Sequence, residues 1–368
     1  MKKYVTLGDV CTKGSSNIAQ KDIEQNNGSY GIYGASGYIK DVDFYHQDKP
    51  YIAVVKDGAG IGRTMLLPEK TSVIGTMQYL IPNDDVCVEY LYYAVTYMNL
   101  AKFFSGATIP HIYFRDYQKE KLTLLTIEEQ RKIADNLRKI DRLIELCGGI
   151  LQKLDVLVKS RFVEMFGDIY TNKHNFPIQQ LADYIDFLTS GSRGWAKYCV
   201  DDGSEWFITI KNVKDCRIST DNIQPVNAPD NMEAKRTKVE EGDLLISITA
   251  DLGRTGVITR EIAEHGAYIN QHLTCIRLDK TKLIPLYVAY FMESESGTPQ
   301  FEAKNQTGVK AGLNFDSIKS LKLLVPPLAL QEQFATFVEQ TDKSKLAVKQ
   351  VLEKAETLKK ALMQKYFG

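Results

Sequence analysis

The sequence predicts an α+β protein in which two mixed α/β globules alternate with two long helices. A chain of 368 residues is too long for one ordinary hydrophobic core. Its motifs recur in the same order in both halves, and each half closes with a long stretch of helical apolar period. We therefore predict domains at residues 1–125, 126–167, 168–327 and 328–368, related by a pseudo-twofold internal repeat.

The composition is that of a folded protein, with 44% hydrophobic and 25% charged residues. No apolar run reaches the roughly 18 residues of a spanning helix, and no signal-peptide core follows Met1, so we expect a cytoplasmic chain without a membrane partner. The six cysteines form no CxxC pair, which argues against a disulfide framework and a thiolate metal site. A net charge of zero offers no simple electrostatic argument for nucleic-acid binding.

Short β-type runs separated by Gly, Asn and Asp clusters predict the globules. Such runs occupy residues 51–55 in the first half and residues 206–210 and 244–248 in the second. A Gly-Arg-Thr sequence follows an apolar run in each half, at residues 62–64 and 253–255. These features indicate mixed α/β or mostly β domains, but they do not give the order of the strands.

Matching segments open and close the two predicted helices. Residues 126–130 and 329–333 both end in Glu-Gln, and residues 164–167 and 365–368 both end in Phe-Gly. Because the order of all these matches is preserved between the halves, chance similarity is a poor explanation. The chain is therefore interpreted as globule, helix, globule, helix.

Each long helix carries one apolar stripe. Thr126 and Glu129 form a capping-box pattern that starts the first helix. Apolar residues then recur in steps of four and three, as in a coiled coil, although Lys345 and Lys359 occupy stripe positions of the second helix. An antiparallel pairing of the two stripes would place the globules at opposite ends of a spacer. The predicted seam residues are Ile133, Leu137, Ile140, Ile144, Leu151, Leu154, Val338, Val348, Leu352 and Leu362.

A search for catalytic motifs yields none that convinces. The sequence lacks a GxxxxGK[ST] phosphate loop, an HExxH motif and the Asn-Pro-Pro-Tyr type of segment with which amino-methyltransferases accept an amine. His265 and His272 have no third ligand nearby and are better explained as structural or surface histidines. Asp230 and Glu233 superficially resemble nuclease carboxylates, but too few residues separate them for a hairpin. We therefore predict no catalytic residue, metal or cofactor in this chain.

Taken together, the duplicated halves and these motifs resemble the specificity subunits of type I restriction-modification systems. The resemblance covers essentially the whole chain. Its first half departs from the pattern at residues 123–124, where the second half has Pro326-Pro327. The segments that carry the resemblance, besides the two Gly-Arg-Thr loops, are residues 30–37, 326–333 and 363–368.

The resemblance implies that two target recognition domains each read one half of a split DNA site and that two antiparallel helices fix the gap. It implies double-stranded DNA, two methyltransferase subunits and restriction (translocase-nuclease) subunits as partners. S-adenosylmethionine, ATP and Mg²⁺ would then bind to those partners. The neutral charge would leave most contacts with DNA phosphates to them as well. The alternative is a coiled-coil scaffold whose two globules bind proteins and not DNA.

Reading bases requires donors and acceptors that reach base edges, usually Arg or Lys for guanine and Asn or Gln for adenine, on loops held by a sheet. Arg63 and Arg254 recur in both halves, which favours a shared structural or phosphate-binding role. Arg193 and Trp195 have no counterpart in the first half and are better candidates for specific contacts. The candidate DNA-binding residues are Lys13, Ser15, Ser16, Asn17, Tyr33, Ser36, Lys56, Arg63, His111, Tyr113, Arg115, Ser192, Arg193, Trp195, Lys211, Asn212, Arg254, Lys304 and Lys310.

Overall fold

The chain divides into two compact units, one of Met1–Gly149 with Val348–Gly368 and the other of Ile150–Ala347. Each unit contains one globule and a part of each long helix. The boundary between the units therefore falls inside the helices, whereas the sequence suggested boundaries at their ends. The residues that a computed structural model describes are 3–106, 110–305 and 312–368.

The first globule combines an antiparallel main sheet with a smaller second sheet. Its elements are β1 (Lys3–Thr6), α1 (Leu7–Val10), β2 (Cys11–Ser15), β3 (Tyr30–Gly34), β4 (Gly37–Val42), β5 (Tyr51–Val55), β6 (Thr64–Leu67), β7 (Ser72–Val73), β8 (Met77–Pro82), α2 (Val88–Tyr97), α3 (Phe114–Tyr117) and β9 (Lys121–Leu124). The main sheet has the order β2-β8-β5-β6, and the second has the order β4-β3-β7. Strand β1 pairs with β9, which closes the globule.

The second globule is built from the elements that follow the first long helix, α4 (Ile127–Phe166). They are β10 (Ile178–Gln180), β11 (Ile185–Ser190), β12 (Glu205–Ile208), β13 (Val213–Lys214), β14 (Cys216–Ile218), β15 (Gln224–Val226), α5 (Met232–Thr237), β16 (Leu244–Ser247), β17 (Thr255–Val257), α6 (Arg260–His265), β18 (Ala267–Ile269), β19 (Leu273–Leu278), α7 (Pro285–Met292), α8 (Thr298–Lys304), α9 (Phe315–Lys319) and β20 (Lys322–Leu324). The second long helix, α10, is Leu328–Phe367.

The two globules share their strand order. The order β11-β19-β16-β17 in the second repeats the main sheet of the first, and the strands β14 and β13 extend it. The order β15-β12-β18 repeats the second sheet, including its one parallel pair, β12 with β18. Strand β10 pairs with β20 as β1 pairs with β9. The repeat therefore includes every sheet of the first globule, and the second globule adds elements to it.

The two long helices bury the stripe that their sequence predicts. The capping box is present, because the Thr126 N–H and hydroxyl both donate to the Glu129 carboxylate at 3.0 Å. These hydrogen bonds from Thr126 also lower the pKa of Glu129. Every predicted seam residue is buried or half-buried, whereas Leu143, Leu146 and Leu157 on other helix faces are exposed. Among the described residues, no helix combines the length and the hydropathy needed to cross a membrane.

A buried glutamine anchors the start of each long helix. The Gln130 side chain accepts a hydrogen bond from the Cys87 N–H at 2.8 Å and donates to the Leu125 carbonyl at 3.0 Å. The Gln331 side chain makes the same bonds in the second unit, to the Ile284 N–H at 2.9 Å and the Pro326 carbonyl at 2.9 Å. Both glutamines are fully buried.

This geometry corrects the alignment of the two helix starts. The sequence match pairs Gln130 with Gln333, because both end a Glu-Gln pair. In the structure, the equivalent of Gln130 is Gln331, while Gln333 is exposed. The Glu-Gln pair is thus a local coincidence, and the position that recurs is the one whose amide satisfies buried backbone groups.

Aromatic side chains form the centre of the second unit. The Phe166 ring lies 4.7 Å from the Tyr287 ring and 5.6 Å from the Phe334 ring, measured between centroids. Phe162 lies 5.3 Å from Phe334 on the same measure. These contacts join α4, α7 and α10 in one core, in which Phe166, Tyr287 and Phe334 are fully buried.

We expect the substitution Gln331→Leu to lower the free energy of unfolding by about 3 kcal/mol or more, because several buried backbone groups lose their partner at about 1–3 kcal/mol each. Denaturation in urea measures this change. The matched control is Gln333→Leu, the same residue type exposed on the same helix, for which we expect a change within about 0.5 kcal/mol. Equal losses in the two variants would contradict the anchoring role of Gln331.

Candidate nucleic-acid interface

Four loop segments meet beside the main sheet of the first globule. The Lys56 N–H donates to the Thr76 carbonyl at 3.0 Å, and the Ile112 N–H donates to the Lys56 carbonyl at 2.9 Å. Nearby, the Gly75 N–H donates to the Ile18 carbonyl at 2.7 Å, which adds the segment after β2. Backbone hydrogen bonds thus gather the segments in which most of the predicted DNA-binding residues of the first half lie.

The same loops meet in the second globule. The Ile248 N–H donates to the His272 carbonyl at 3.0 Å, and the Leu313 N–H donates to the Ile248 carbonyl at 2.9 Å. The Gly191 N–H donates to the Leu273 carbonyl at 3.1 Å, which adds the segment after β11. We call each of these two assemblies a loop cluster.

A glycine shapes the Gly-Arg-Thr turn in each loop cluster. Gly62 and Gly253 have φ angles of +77° and +79°, in the left-handed region that favours glycine. Their N–H groups donate to the carbonyls of Val55, at 2.8 Å, and Ser247, at 3.0 Å. A Cβ atom on Gly253 would also lie 2.5 Å from the Phe301 ring. The turn therefore recurs because its backbone conformation and its close packing both require glycine.

The arginines that follow these glycines bond within their own globules. The Arg63 guanidinium donates to the Ala35 carbonyl at 3.1 Å. The Arg254 guanidinium lies 2.6 Å from the Asp251 carboxylate. Both contacts hold a loop of the cluster, in keeping with the shared structural role that the repeat predicts. Arg63 remains exposed and Arg254 half-buried, so each keeps donors for a ligand.

Charges are balanced in the loop cluster of the first globule. The His111 Nδ1 atom lies 2.6 Å from the Asp57 carboxylate, whose other oxygen lies 3.8 Å from Lys56 Nζ. The Arg115 guanidinium stacks 4.9 Å above the ring of Tyr113, which is exposed. Asp57 was not singled out by the sequence, because only the fold places His111 against it.

The remaining candidates of the first half divide by exposure. Ser16 is buried, and its hydroxyl accepts a hydrogen bond from the Ile18 N–H at 3.3 Å. Tyr33 is half-buried, with its ring 5.8 Å from that of Tyr38. The exposed candidates are Lys13, Ser15, Asn17 and Ser36.

Two candidates of the second half make the contacts of packing residues. The Trp195 ring is 4% exposed and lies 5.0 Å from the Tyr268 ring and 5.3 Å from the Phe207 ring. Asn212 is buried, and its side chain accepts a hydrogen bond from the Thr209 N–H at 2.9 Å. Neither side chain offers a free group to DNA in this conformation.

Arg236 was missed by the sequence reasoning and organises the loop after β11. Its guanidinium donates to the Ser192 hydroxyl at 3.1 Å and to the Ser190 carbonyl at 2.8 Å, and it also bonds the Thr189 hydroxyl. In the sequence, only the basic type of this residue could have drawn attention to it. Its partners lie more than 40 positions earlier, so no local pattern links them to Arg236. The predicted candidate Ser192 is therefore a buried anchor of this loop.

The other second-half candidates are cations. Arg193 and Lys211 are exposed, while Lys304 Nζ donates to the Ser320 hydroxyl at 2.7 Å. Lys310 lies outside the described residues. His272, for which the sequence predicts a structural or surface role, bonds the Thr249 hydroxyl at 2.6 Å inside the second loop cluster.

The chemistry of the loop clusters is that of hydrogen bonding. Within the described part of the chain, no group of three or more His, Cys, Asp or Glu side chains is placed to hold a metal ion. Burial raises the pKa of the Cys216 and Cys275 thiols well above their usual value, so neither is an ionised nucleophile. The exposed hydrogen-bond donors and acceptors of these loops are suited to binding the polar surface of another molecule.

Comparison with known proteins identifies the family. The sequence profile of the type I restriction modification DNA specificity domain matches residues 2–156 and 220–357. The chain belongs to this family. Its two loop clusters are thus the repeated features of a DNA specificity protein.

Two curated members of the family show the extent of the similarity. The chain is 19% identical over 292 residues to the specificity subunit of the type I restriction enzyme EcoBI of Escherichia coli. It is 23% identical over 283 residues to that of StySPI of Salmonella potsdam. Both matches cover 72% of this chain, which spans 61% and 60% of the length of these specificity subunits.

Solved structures have the same fold at low sequence identity. The S subunit of a type I restriction-modification system from M. genitalium aligns over 100% of this chain and 96% of its own, with a TM-score of 0.67 and 14% identity. A chain from a study of type I complex assembly and conformational transition aligns over 100% and 97%, with a TM-score of 0.58 and 15% identity.

We expect Arg236→Met to loosen the loop after β11, because three acceptors lose a charged donor. The free energy of unfolding should fall by about 1–3 kcal/mol, and amide hydrogen exchange should accelerate at residues 189–193. Lys235→Met is the matched control, since its ion pair with Asp230 is exposed. Unchanged exchange in the Arg236 variant would refute this role.

Proposed function

We propose that this chain is the non-catalytic DNA-reading subunit of a type I restriction-modification complex, and that each globule reads one half of a bipartite DNA site. The observation that carries the proposal is the duplicated loop cluster. Two backbone hydrogen bonds recur at equivalent positions in both clusters, while the residues at the other positions of these loops differ. A common scaffold with unlike side chains suits two readers of two different sequences.

The side chains of the clusters match the chemistry of base edges and phosphates. Arg and Lys donate to guanine or phosphate, and polar side chains bind the other base edges in the major groove. Arg115 and Tyr113 are exposed together in the first cluster, and Arg193 is exposed beside the second. We propose Arg115 and Arg193 as the first residues to test for sequence reading.

We further propose that α4 and α10 form the antiparallel spacer that sets the gap between the half-sites. Within the first unit, Lys359 pairs with Asp141, and within the second unit, Lys345 pairs with Asp155. As the position on α4 rises, the position of its partner on α10 falls, as an antiparallel pairing requires. The two lysines that intrude on the apolar seam are thus neutralised by the other helix, and such polar seam residues favour one register.

The partners that we propose are two adenine methyltransferase subunits and the restriction subunits, which would bind S-adenosylmethionine, ATP and Mg²⁺. The charges of the loop clusters support this division of labour. Asp57 faces Lys56 and His111, and Asp251 faces Arg254, so part of the positive charge is already compensated inside the chain. Phosphate neutralisation supplies most non-specific DNA affinity. The partner subunits would therefore contribute much of the electrostatic affinity for DNA.

The scaffold alternative lacks a specific observation in its favour, and membership in a family of DNA specificity proteins argues against it. The decisive experiment reconstitutes the chain with its cognate methyltransferase subunits and maps methylated adenines in random-sequence DNA. We expect one bipartite sequence with a fixed gap. Exchange of residues 1–125 for the first globule of another family member should change one half-site only. Methylation without sequence choice would overturn the proposal.

We expect the isolated chain to bind duplex DNA weakly and with a shallow dependence on salt. The slope of log K against log salt should correspond to about two or three phosphate contacts, against a markedly steeper slope for the reconstituted complex. A fluorescence-anisotropy titration at several salt concentrations measures both slopes. Tight, sequence-specific binding by the chain alone would contradict the role that we assign to its partners.

A further inference from the structure

An aspartate occupies the same position in both long helices. Asp141 lies eleven residues after the buried Gln130, and Asp342 lies eleven residues after its equivalent, Gln331 (130 to 141 and 331 to 342). Each of these carboxylates bonds a side chain from the globule of its own unit. The carboxylates thus connect each globule to a long helix at a second point beyond the helix start.

In the first unit the partner is a tyrosine. The Tyr93 hydroxyl on α2 donates to Asp141 at 2.8 Å, and Lys359 of α10 lies against the same carboxylate. The equivalent of Tyr93 in the second unit is Tyr290 on α7. There the Tyr290 side chain contacts Arg217. Arg217, and not the tyrosine, donates the hydrogen bond to the helix carboxylate, Asp342.

In the second unit the bond is a two-pronged ion pair. Arg217 Nε donates to one oxygen of Asp342 at 3.0 Å, and Arg217 Nη2 donates to the other oxygen. Lys345 lies 3.9 Å from Asp342 and pairs with Asp155 of α4, so the part of α10 that bonds Arg217 is itself bonded to α4. Arg217 lies on β14, a strand for which the first globule has no equivalent.

The Arg217–Asp342 ion pair gives the second globule a directional contact with α10, which the aromatic core does not provide. Apolar packing around Phe334 is non-directional, and the Gln331 bonds hold α10 only at its first turn, so without a further contact the globule can tilt about that point. Asp342 lies eight residues further along α10 than Phe334, which is about 12 Å at 1.5 Å per residue. A two-pronged guanidinium–carboxylate bond at that distance fixes direction as well as position.

Side-chain packing does not replace this bond, because a cavity lies beside it. The cavity has a volume of about 410 Å³ and is lined by Arg217, Tyr290, Glu293, Lys345 and Asp155, among others. The Arg217–Asp342 bond therefore lies at the edge of open space, next to the apolar packing of Tyr290 and Phe162.

We propose that Arg217 and Asp342 are a positioning pair that holds the second recognition domain at one orientation on the long helices and so makes the complex accept only one gap length. This inference rests on the proposed function. It assigns Arg217 and Asp342 no contact with DNA. The pair would determine the spacing between the half-sites and would leave the half-site sequences unchanged.

The test measures methylation by the reconstituted complex on a set of DNA duplexes that differ only in gap length. We expect the wild type to modify one gap length. Arg217→Met and Asp342→Asn should modify gaps one base pair longer or shorter at a rate raised about tenfold relative to the wild type, with both half-site sequences unchanged. The reversal Arg217→Asp with Asp342→Arg should restore the single gap.

The matched control is Arg260→Met, which breaks an exposed ion pair with Glu264 in the same unit. A merely structural role would lower stability and overall rate in the Arg217 variant without widening the gap profile. An unchanged profile in folded Arg217 and Asp342 variants therefore overturns the proposal.

A measurement without DNA separates this inference from the proposed function. Dyes attached at the exposed positions Asp202 and Lys343 report the distance between the second globule and α10 in single molecules. We expect a broader distance distribution for Arg217→Met than for the wild type and Arg260→Met. If the wild-type complex recognises no bipartite site, the proposed function fails, while this distribution still decides whether the pair fixes orientation. Equal widths would overturn the inference.

Discussion

The constraint on which the rest of this structure depends is the satisfaction of a buried glutamine amide at the start of each long helix. A fully buried amide must find partners for its donors and its acceptor. Gln130 and Gln331 find them in the loop before α2 or α7 and in the strand end before the helix. Each amide therefore anchors the first turn of its helix to the globule.

Different groups hold the loop clusters together and form their exposed surface in each globule. Backbone hydrogen bonds, and a glycine at a positive φ angle, hold the loop clusters. The exposed side chains around them are free to differ between the halves without disturbing that scaffold. Arg63 and Arg254 recur because they bond within the scaffold, while residues such as Arg193 do not recur. This separation allows one fold to present two different surfaces.

The balance of charge has a structural explanation in the helices and in the loops. The lysines at seam positions would be costly in an apolar interface if they were unpaired. Lys345 is 12% exposed and pairs with Asp155, while Lys359 pairs with Asp141. The loop clusters likewise place Asp57 and Asp251 beside cations. Part of the positive charge of the helices and of the loop clusters is therefore paired within the chain.

The sequence by itself determined the two long helices, their capping box, their buried stripe and the glycine turns, because each depends on neighbours within a few positions. Tertiary structure alone decided the strand order, the equivalence of Gln130 with Gln331, and the burial of Trp195. It also decided the bonds of Arg236, whose partners are distant in the chain. Such contacts depend on the path of the backbone through space, and neither residue type nor periodicity encodes that path locally.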